Sequence, residues 1–222
     1  MSNIAQLGRY SWPEAKYSLK NAKVVLLPLG GLQQHGPHLP LETDNILVGY
    51  YGNRVGERVH PYCAVAPVIP YNIGLGFENY TGSINLSEET YSLMLRDMIK
   101  GFKKDGIEKF VIISVHNNNR TRELTDKVAQ ELGTYIEIMD VWEMFDEDDI
   151  LESGKGHAGE FETSQMLYIS PESVRRDRMD VEDGALGVKG KPILANEKKG
   201  EAIVEYLVEK MVSKVEELLL RG

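Results

Sequence analysis

The stretch Lys109-Phe-Val-Ile-Ile-Ser-Val115 decides the fold class. Its apolar, β-branched residues do not alternate with polar ones, which is typical of a strand covered on both faces. Similar runs, Ala22–Leu29 and Cys63–Pro70, are separated from it by stretches whose apolar residues recur at helical spacing. Strands that alternate with helices predict an α/β fold, here a mostly parallel sheet with helices on both faces.

The rest of the chain continues this alternation. Helices are predicted over Thr43–His60, from Ser87 to Lys104, and over Thr121–Leu132, Glu160–Tyr168 and Gly200–Leu220, with a weaker strand at Tyr135–Val141 and an irregular surface segment at Ser170–Lys199. Neither an internal repeat nor a linker divides the sequence, so residues 1–222 are expected to form a single domain.

Composition narrows the class of protein. The 222 residues are 42% hydrophobic and carry a formal net charge of −9, which disfavours binding to nucleic acid. No apolar run reaches the roughly 18–20 residues that span a bilayer, and Met1–Tyr10 does not resemble a secretory signal. The single cysteine, Cys63, excludes a disulfide within the chain and a cysteine-based zinc site. We expect a cytoplasmic enzyme or small-molecule binding module without membrane partners.

Histidines mark the candidate site. His35 and His38 follow the first predicted strand, His116 directly follows Lys109–Val115, and His157 precedes a predicted helix. In open parallel sheets, ligands bind outside the carboxyl ends of the strands. We therefore expect these histidine-bearing segments to converge at one edge of the sheet.

Each of these segments also carries carboxylates. Asp44 lies nine residues after His35, and Glu162 lies five after His157. Imidazole combined with carboxylate suits Zn²⁺, Mn²⁺ or Fe²⁺, and open positions on such an ion would supply a hydroxide nucleophile near neutral pH. The residues leave the identity of the metal open. They predict a bound divalent metal ion.

Two motifs resemble the signatures of the creatininase (creatinine amidohydrolase) family. They are Leu29-Gly-Gly-Leu-Gln-Gln-His-Gly-Pro-His-Leu-Pro-Leu-Glu-Thr-Asp44 and His157-Ala-Gly-Glu-Phe-Glu-Thr-Ser164, and Gly187–Gly200 is similar to that family's C-terminal glycine-proline loop. The resemblance implies a parallel α/β fold, a two-metal site and homo-oligomers, commonly hexamers. It also implies hydrolysis of a non-peptide C–N bond, in a cyclic amide such as creatinine or in a formamide.

The resemblance assigns a role to each matching residue. His35 and Glu162 would ligate one metal ion, His116 would ligate the other, and Asp44 would bridge the two. His157 would be the catalytic histidine, which exchanges protons with the leaving nitrogen as general acid/base.

Several positions depart from the family pattern. Gln33 stands where the family usually has a glutamate ligand of the second metal. A neutral amide oxygen should hold a divalent ion less tightly, so Gln33 is either a weak ligand or a bystander. The segments Ser114–Asn119 and Glu78–Ser83 also differ from the family elements, which predicts an altered substrate pocket. Trp12 and Trp142 are expected to serve packing rather than the pocket.

Two classes of function remain open. In the first, a metal-bound hydroxide attacks a small cyclic amide, with creatinine as its representative, or a formamidopyrimidine ribosyl phosphate of flavin and deazaflavin biosynthesis. Arg120 and Arg122 would bind such a phosphate, and Asn119 would orient the substrate. In the second, the chain is an inactive relative with a binding or structural role. Retention of the histidines and carboxylates favours the hydrolase.

Overall fold

A computed structural model describes residues 6–74, 76–116, 118–146 and 148–221, so the prediction for Met1–Tyr10 lies partly outside the described residues. The helices are Trp12–Asn21 (α1), Thr43–Val59 (α2), Glu88–Lys103 (α3), Asn119–Leu132 (α4), Val141–Met144 (α5), Glu160–Ile169 (α6) and Glu197–Leu220 (α7), and the strands are Val24–Leu29 (β1), Cys63–Val65 (β2), Lys109–Ser114 (β3) and Tyr135–Asp140 (β4). The predicted alternation of strands and helices is confirmed. None of the described helices combines the length and the apolar character needed to cross a membrane.

The four strands form one parallel sheet in the order β2-β1-β3-β4. Strand β1 lies between β2 and β3, so the chain builds the sheet outward from β1 in both directions. The connection through α2 covers one face, and the connection through α3 covers the other. The point between β1 and β3 is therefore a topological switch point, where the loops that leave the two strands diverge and open a crevice.

Side chains of β1 alternate between two hydrophobic cores. Val24 and Leu26 pack with helices α2, α6 and α7, whereas Val25 and Leu27 pack with α1, α3 and α4. All six residues of β1 are buried. Helices on both faces of a mostly parallel sheet are thus confirmed. Because both faces are covered, apolar and polar residues do not alternate along the central strands.

Three local features differ from what the sequence predicted. Helix α1 was not expected, although Ser11 and Glu14 form a capping box at its start. The strand predicted at Cys63–Pro70 ends at Val65, because Pro67 and Pro70 have no N–H group to donate to a neighbouring strand. Trp12 is 78% exposed, so the expectation that it packs within the chain is wrong.

Candidate metal centre

Imidazoles and carboxylates meet at the switch point between β1 and β3. His35 Nε2 lies 3.1 Å from Asp44 Oδ1 and 3.9 Å from Glu162 Oε2. On the other side of the same carboxylate, His116 Nε2 lies 3.1 Å from Asp44 Oδ2. His35, Asp44 and Glu162 are buried, and His116 is nearly so. The segments that the sequence predicted to converge do meet here.

Each side chain is delivered by a different part of the fold. His35 lies in the loop after β1, and His116 lies in the loop after β3. Asp44 is the second residue of α2, and Glu162 is the third residue of α6. The positive end of a helix dipole favours a carboxylate in the first turn, so both acidic groups stand where their charge is least costly.

Several buried atoms of this cluster have no hydrogen-bond partner among the described residues. They are His35 Nε2, Asp44 Oδ1, His116 Nε2 and Gln33 Oε1. Buried polar atoms nearly always have a partner, so four such atoms in one place need an explanation. A divalent cation would satisfy them together. The set contains nitrogen and oxygen donors without thiolate, which fits Zn²⁺, Mn²⁺ or Fe²⁺.

Electrostatics at the centre favour a positive charge. Burial alone would lower the pKa of His35, but the Asp44 and Glu162 carboxylates outweigh it and raise that pKa to about 9. Burial would raise the pKa of Asp44, yet His116 and His35 hold it well below its ordinary value. Burial raises the pKa of Glu162 to about 7. A metal ion binds His35 in place of its proton. The Asp44 and Glu162 carboxylates that raise the pKa of His35 would attract a divalent cation in the same way.

His157 faces the centre from the loop before α6. Its Nδ1 lies 3.8 Å from Glu162 Oε2, and its Nε2–H donates to the carbonyl oxygen of Gln34 at 2.8 Å. This hydrogen bond leaves Nδ1 as the unprotonated nitrogen. Burial lowers the pKa of His157 to about 3, so the ring is neutral. Ligand atoms of His35, His157 and Glu162 lie within 4.8 Å of one another, so the geometry also allows His157 to bind a metal.

Gln33 contacts the half of the centre formed by Asp44 and His116. The Gln33 side chain is 2% exposed, and its Nε2 donates to Asp44 Oδ2 at 2.8 Å. The same atom lies 3.5 Å from His116 Nδ1. Glu162 gives the His35 half a second carboxylate, whereas the His116 half has an amide in the corresponding position. We therefore expect the two halves to bind a divalent ion with unequal affinity.

Changing Gln33→Glu should raise the metal content of the protein towards two ions per chain. A carboxylate beside Asp44 and His116 adds the charge that the amide lacks, so a second ion should bind more tightly. Metal titration by calorimetry and elemental analysis per chain would measure this. Gln130→Glu, at an exposed position on α4, adds the same charge far from the centre and is the control. Equal occupancy in wild type and Gln33→Glu would mean that Gln33 is no ligand.

A cleft of about 260 Å³ opens beside the centre and is lined by Phe77, Trp142 and Lys189 in addition to His116 and His157. The Phe77 ring stacks on His157 with centroids 4.4 Å apart. Trp142 donates its indole N–H to the carbonyl oxygen of Val115 at 2.6 Å. The expectation that Trp142 stays out of the pocket is wrong, although its other contacts are packing. Its position two residues after β4 was the signal that could have revealed it.

Gln34 connects three loops around the site and was not predicted. Its side-chain N–H donates to the carbonyl oxygen of Gly187 at 3.0 Å, and its backbone N–H donates to Ser83 Oγ at 3.0 Å. Its carbonyl oxygen accepts the hydrogen bond from His157. Gln34 therefore fixes both the orientation and the tautomer of His157.

The predicted substrate ligands on α4 lie outside the cleft lining among the described residues. Arg120 pairs with Glu88 at 2.5 Å, and Arg122 pairs with Glu143 at 2.8 Å. Asn119 is exposed as the first residue of α4, whereas its neighbour Asn118 lines the cleft and caps the helix. The arrangement gives no support to a phosphate subsite at the arginines.

A parallel α/β sheet with a buried histidine–carboxylate centre at its switch point, open to a small cleft, defines the class of metal-dependent hydrolases. The sequence model of the creatininase family, described as creatinine amidohydrolase, matches residues 8–215. The chain belongs to the creatininase family, whose members are metal-dependent amidohydrolases, and its cofactor is a divalent metal.

Relatives of the chain act on different substrates. A mycofactocin precursor peptide peptidase of Mycobacterium ulcerans is 28% identical over 218 residues, which cover 86% of this chain and 84% of the relative. The creatinine amidohydrolase of Pseudomonas putida is 25% identical over 259 residues, 98% of each chain. A 2-amino-5-formylamino-6-ribosylaminopyrimidin-4(3H)-one 5'-monophosphate deformylase of Methanothermobacter thermautotrophicus is 26% identical over 230 residues, 89% of this chain and 90% of the relative.

Solved creatininases share the fold. A crystal structure of creatinine amidohydrolase superimposes with a TM-score of 0.89 at 22% identity and covers 99% of both chains. A manganese creatininase superimposes with a TM-score of 0.85 at 23% identity, over 96% of this chain and 98% of the other. The fold thus extends over nearly the whole chain, while the low identity leaves the substrate unassigned.

Proposed function

We propose that this protein hydrolyses a C–N bond in a small amide at the centre formed by His35, Asp44, His116 and Glu162, with Gln33 as a weak ligand. The observation that carries the proposal is the cluster of buried nitrogen and oxygen atoms that lack a hydrogen-bond partner among the described residues, beside a cleft of about 260 Å³. Either one or two ions per chain, Zn²⁺, Mn²⁺ or Fe²⁺, suit this donor set. Retention of His35, Asp44, His116 and Glu162 together favours a hydrolase over an inactive relative.

His157 is proposed to move the proton in this reaction. A divalent ion supplies Lewis-acid polarisation of the amide carbonyl when it is bound. His157 Nδ1 accepts a proton from the attacking water and returns it to the departing nitrogen, which needs a neutral ring at the start. Gln34 holds His157 through Nε2–H, and Phe77 stacks on its face, so Nδ1 stays directed to the centre.

We rank a small cyclic amide, with creatinine as its representative, as the first substrate class. The ribosyl phosphate alternative ranks lower because Arg120 and Arg122 are engaged by Glu88 and Glu143. A second candidate is an open-chain amide in a peptide. The peptidase relatives favour it, since one of them is 28% identical to this chain whereas the creatinine amidohydrolase is 25% identical.

Cytoplasmic location and assembly into a homo-oligomer, a hexamer by resemblance, belong to the same proposal. Large apolar side chains on the surface support association of copies: Trp12 is 78% and Tyr17 is 74% exposed. Light scattering on the purified protein would measure the number of copies.

Reconstitution tests the function. The protein is stripped with a chelator, reloaded with Zn²⁺, Mn²⁺ or anaerobic Fe²⁺, and assayed on creatinine, dihydrouracil, an N-formyl compound and a dipeptide. We expect hydrolysis of at least one amide after reloading and none in the stripped protein. If no metal binds, or if the loaded protein hydrolyses none of these amides, the inactive-relative hypothesis replaces this one.

A further inference from the structure

We propose that the substrate carries a carboxylate close to its scissile amide, and that Lys189 binds this carboxylate at the cleft. The inference rests on the proposed function and names the chemistry of the substrate that the same site takes. Two sources share this chemistry: a cyclic amide with a carboxyl substituent, and the C-terminal residue of a peptide.

The backbone of Lys189 is fixed beside the proposed acid/base. Its N–H donates to the carbonyl oxygen of His157 at 2.8 Å. A Cβ atom at Gly156 or at Gly159 would lie 2.2 Å from the carbonyl oxygen of Lys189, so the two segments approach this closely only because both residues are glycine. The side chain of Lys189 therefore begins at a defined point next to the reaction centre, and Lys189 lines the cleft.

Charge singles out Lys189 within the cleft. Among the described residues that line it, Lys189 alone carries a permanent positive charge, and Glu162 is the acidic one. Glu162 is 2% exposed and faces His35, so its charge is directed to the metal centre. A protein with a formal net charge of −9 repels anions at long range, and a local cation would offset this for an anionic substrate.

The other cations near the site differ from Lys189. Arg120 pairs with Glu88, and Lys199 pairs with Glu152 and Glu160. In the described parts of the chain, no ion pair or side-chain hydrogen bond of the Lys189 ammonium occurs. Exposed lysines are often unpaired, so this alone would mean little. An unpaired lysine that lines the cleft and is anchored to His157 is suited to bind an anion there.

Matched pairs of probes test the inference on the metal-loaded protein. Dihydroorotate and dihydrouracil share one ring and differ by a carboxylate, and alanyl-alanine and its C-terminal amide differ in the same way. We expect the acid of at least one pair to have the lower KM or Kd. Lys189→Met should raise that value about tenfold, the effect of one charged hydrogen bond, with kcat and the neutral partner nearly unchanged. Lys191→Met, an exposed lysine two residues away, is the matched control.

The outcomes separate this inference from the proposed function. Whichever pair responds to Lys189→Met identifies the source of the carboxylate as cyclic or peptidic. The inference is overturned, even if amides are hydrolysed, when the acid and the neutral member of both pairs bind with equal affinity. It is also overturned when Lys189→Met raises the KM or Kd of both members equally. Binding of an acid that depends on Lys189, measured by calorimetry without any turnover, would support the inference while the proposed function fails.

Discussion

His35→Ala should leave the purified protein with almost no tightly bound divalent metal and with amide hydrolysis near background. His35 Nε2 lies against both Asp44 and Glu162, at 3.1 and 3.9 Å, so its removal takes the nitrogen donor from the half of the centre that has two carboxylates. Elemental analysis per chain by mass spectrometry, before and after incubation with metal, gives the occupancy. Turnover of the best amide from the reconstitution assay gives the activity.

His60→Ala is the control for this experiment. His60 is exposed after the end of α2 and does not line the cleft. It should retain wild-type metal content and activity. A melting curve of His35→Ala would establish that the chain is folded, since the substitution also removes a buried partner of Asp44. Near-stoichiometric metal in folded His35→Ala would contradict the assignment of His35 as a ligand.

The strands at the centre of the sheet could be predicted from the sequence because both of their faces are covered. Lys109–Val115 and Ala22–Leu29 are apolar without alternation, and the structure places β3 and β1 inside them. The length of the edge strand β2 was overestimated. The apolar run continues past Val65, but Pro67 has no N–H group to continue the hydrogen bonds between strands. Helix α1 buries only Leu19, so its apolar pattern was too weak to reveal it.

The donor residues of the centre could be found because each follows a strand or begins a helix at one edge of the sheet. Residues that act through loop contacts could not. Gln34 contacts Gly187, which lies 153 positions away, and Phe77 stacks on His157 from a loop without a distinguishing pattern. Such neighbours become visible only when the loops are assembled in space.

Arg120 and Arg122, in contrast, were predicted to bind substrate but lie outside the cleft lining among the described residues. Arg120 and Arg122 follow His116 closely and lie at a helix start, which made them reasonable candidates for binding a phosphate. Arg120 pairs with Glu88, a residue of α3 that lies 32 positions earlier. Charge on the sequence identifies a cation, but it does not show which carboxylate the fold brings to it. Lys189, in a segment predicted to be irregular surface, was missed because the sequence does not show which loops line the cleft.

His157→Gln should lower kcat by about 10²–10⁴-fold, the usual contribution of a general acid/base, while KM and metal content stay close to wild type. The glutamine amide can still donate to the carbonyl oxygen of Gln34, as the Nε2–H of His157 does at 2.8 Å. What the substitution removes is Nδ1, the nitrogen near Glu162 that accepts the proton. The comparison therefore isolates proton transfer from the structural role of the side chain.

Metal content decides between the two roles that the geometry allows for His157. Its Nδ1 lies 3.8 Å from Glu162 Oε2, close enough for it to be a ligand together with His35 and Glu162. If His157→Gln loses metal in parallel with activity, His157 is a ligand and another group must move the proton. Retained metal with lost turnover, together with wild-type behaviour of the His60→Ala control, would identify proton transfer as the missing step. In that case the hydrogen bond from Nε2–H of His157 to the carbonyl oxygen of Gln34 is the property the reaction uses, because it leaves Nδ1 unprotonated and able to take the proton from water.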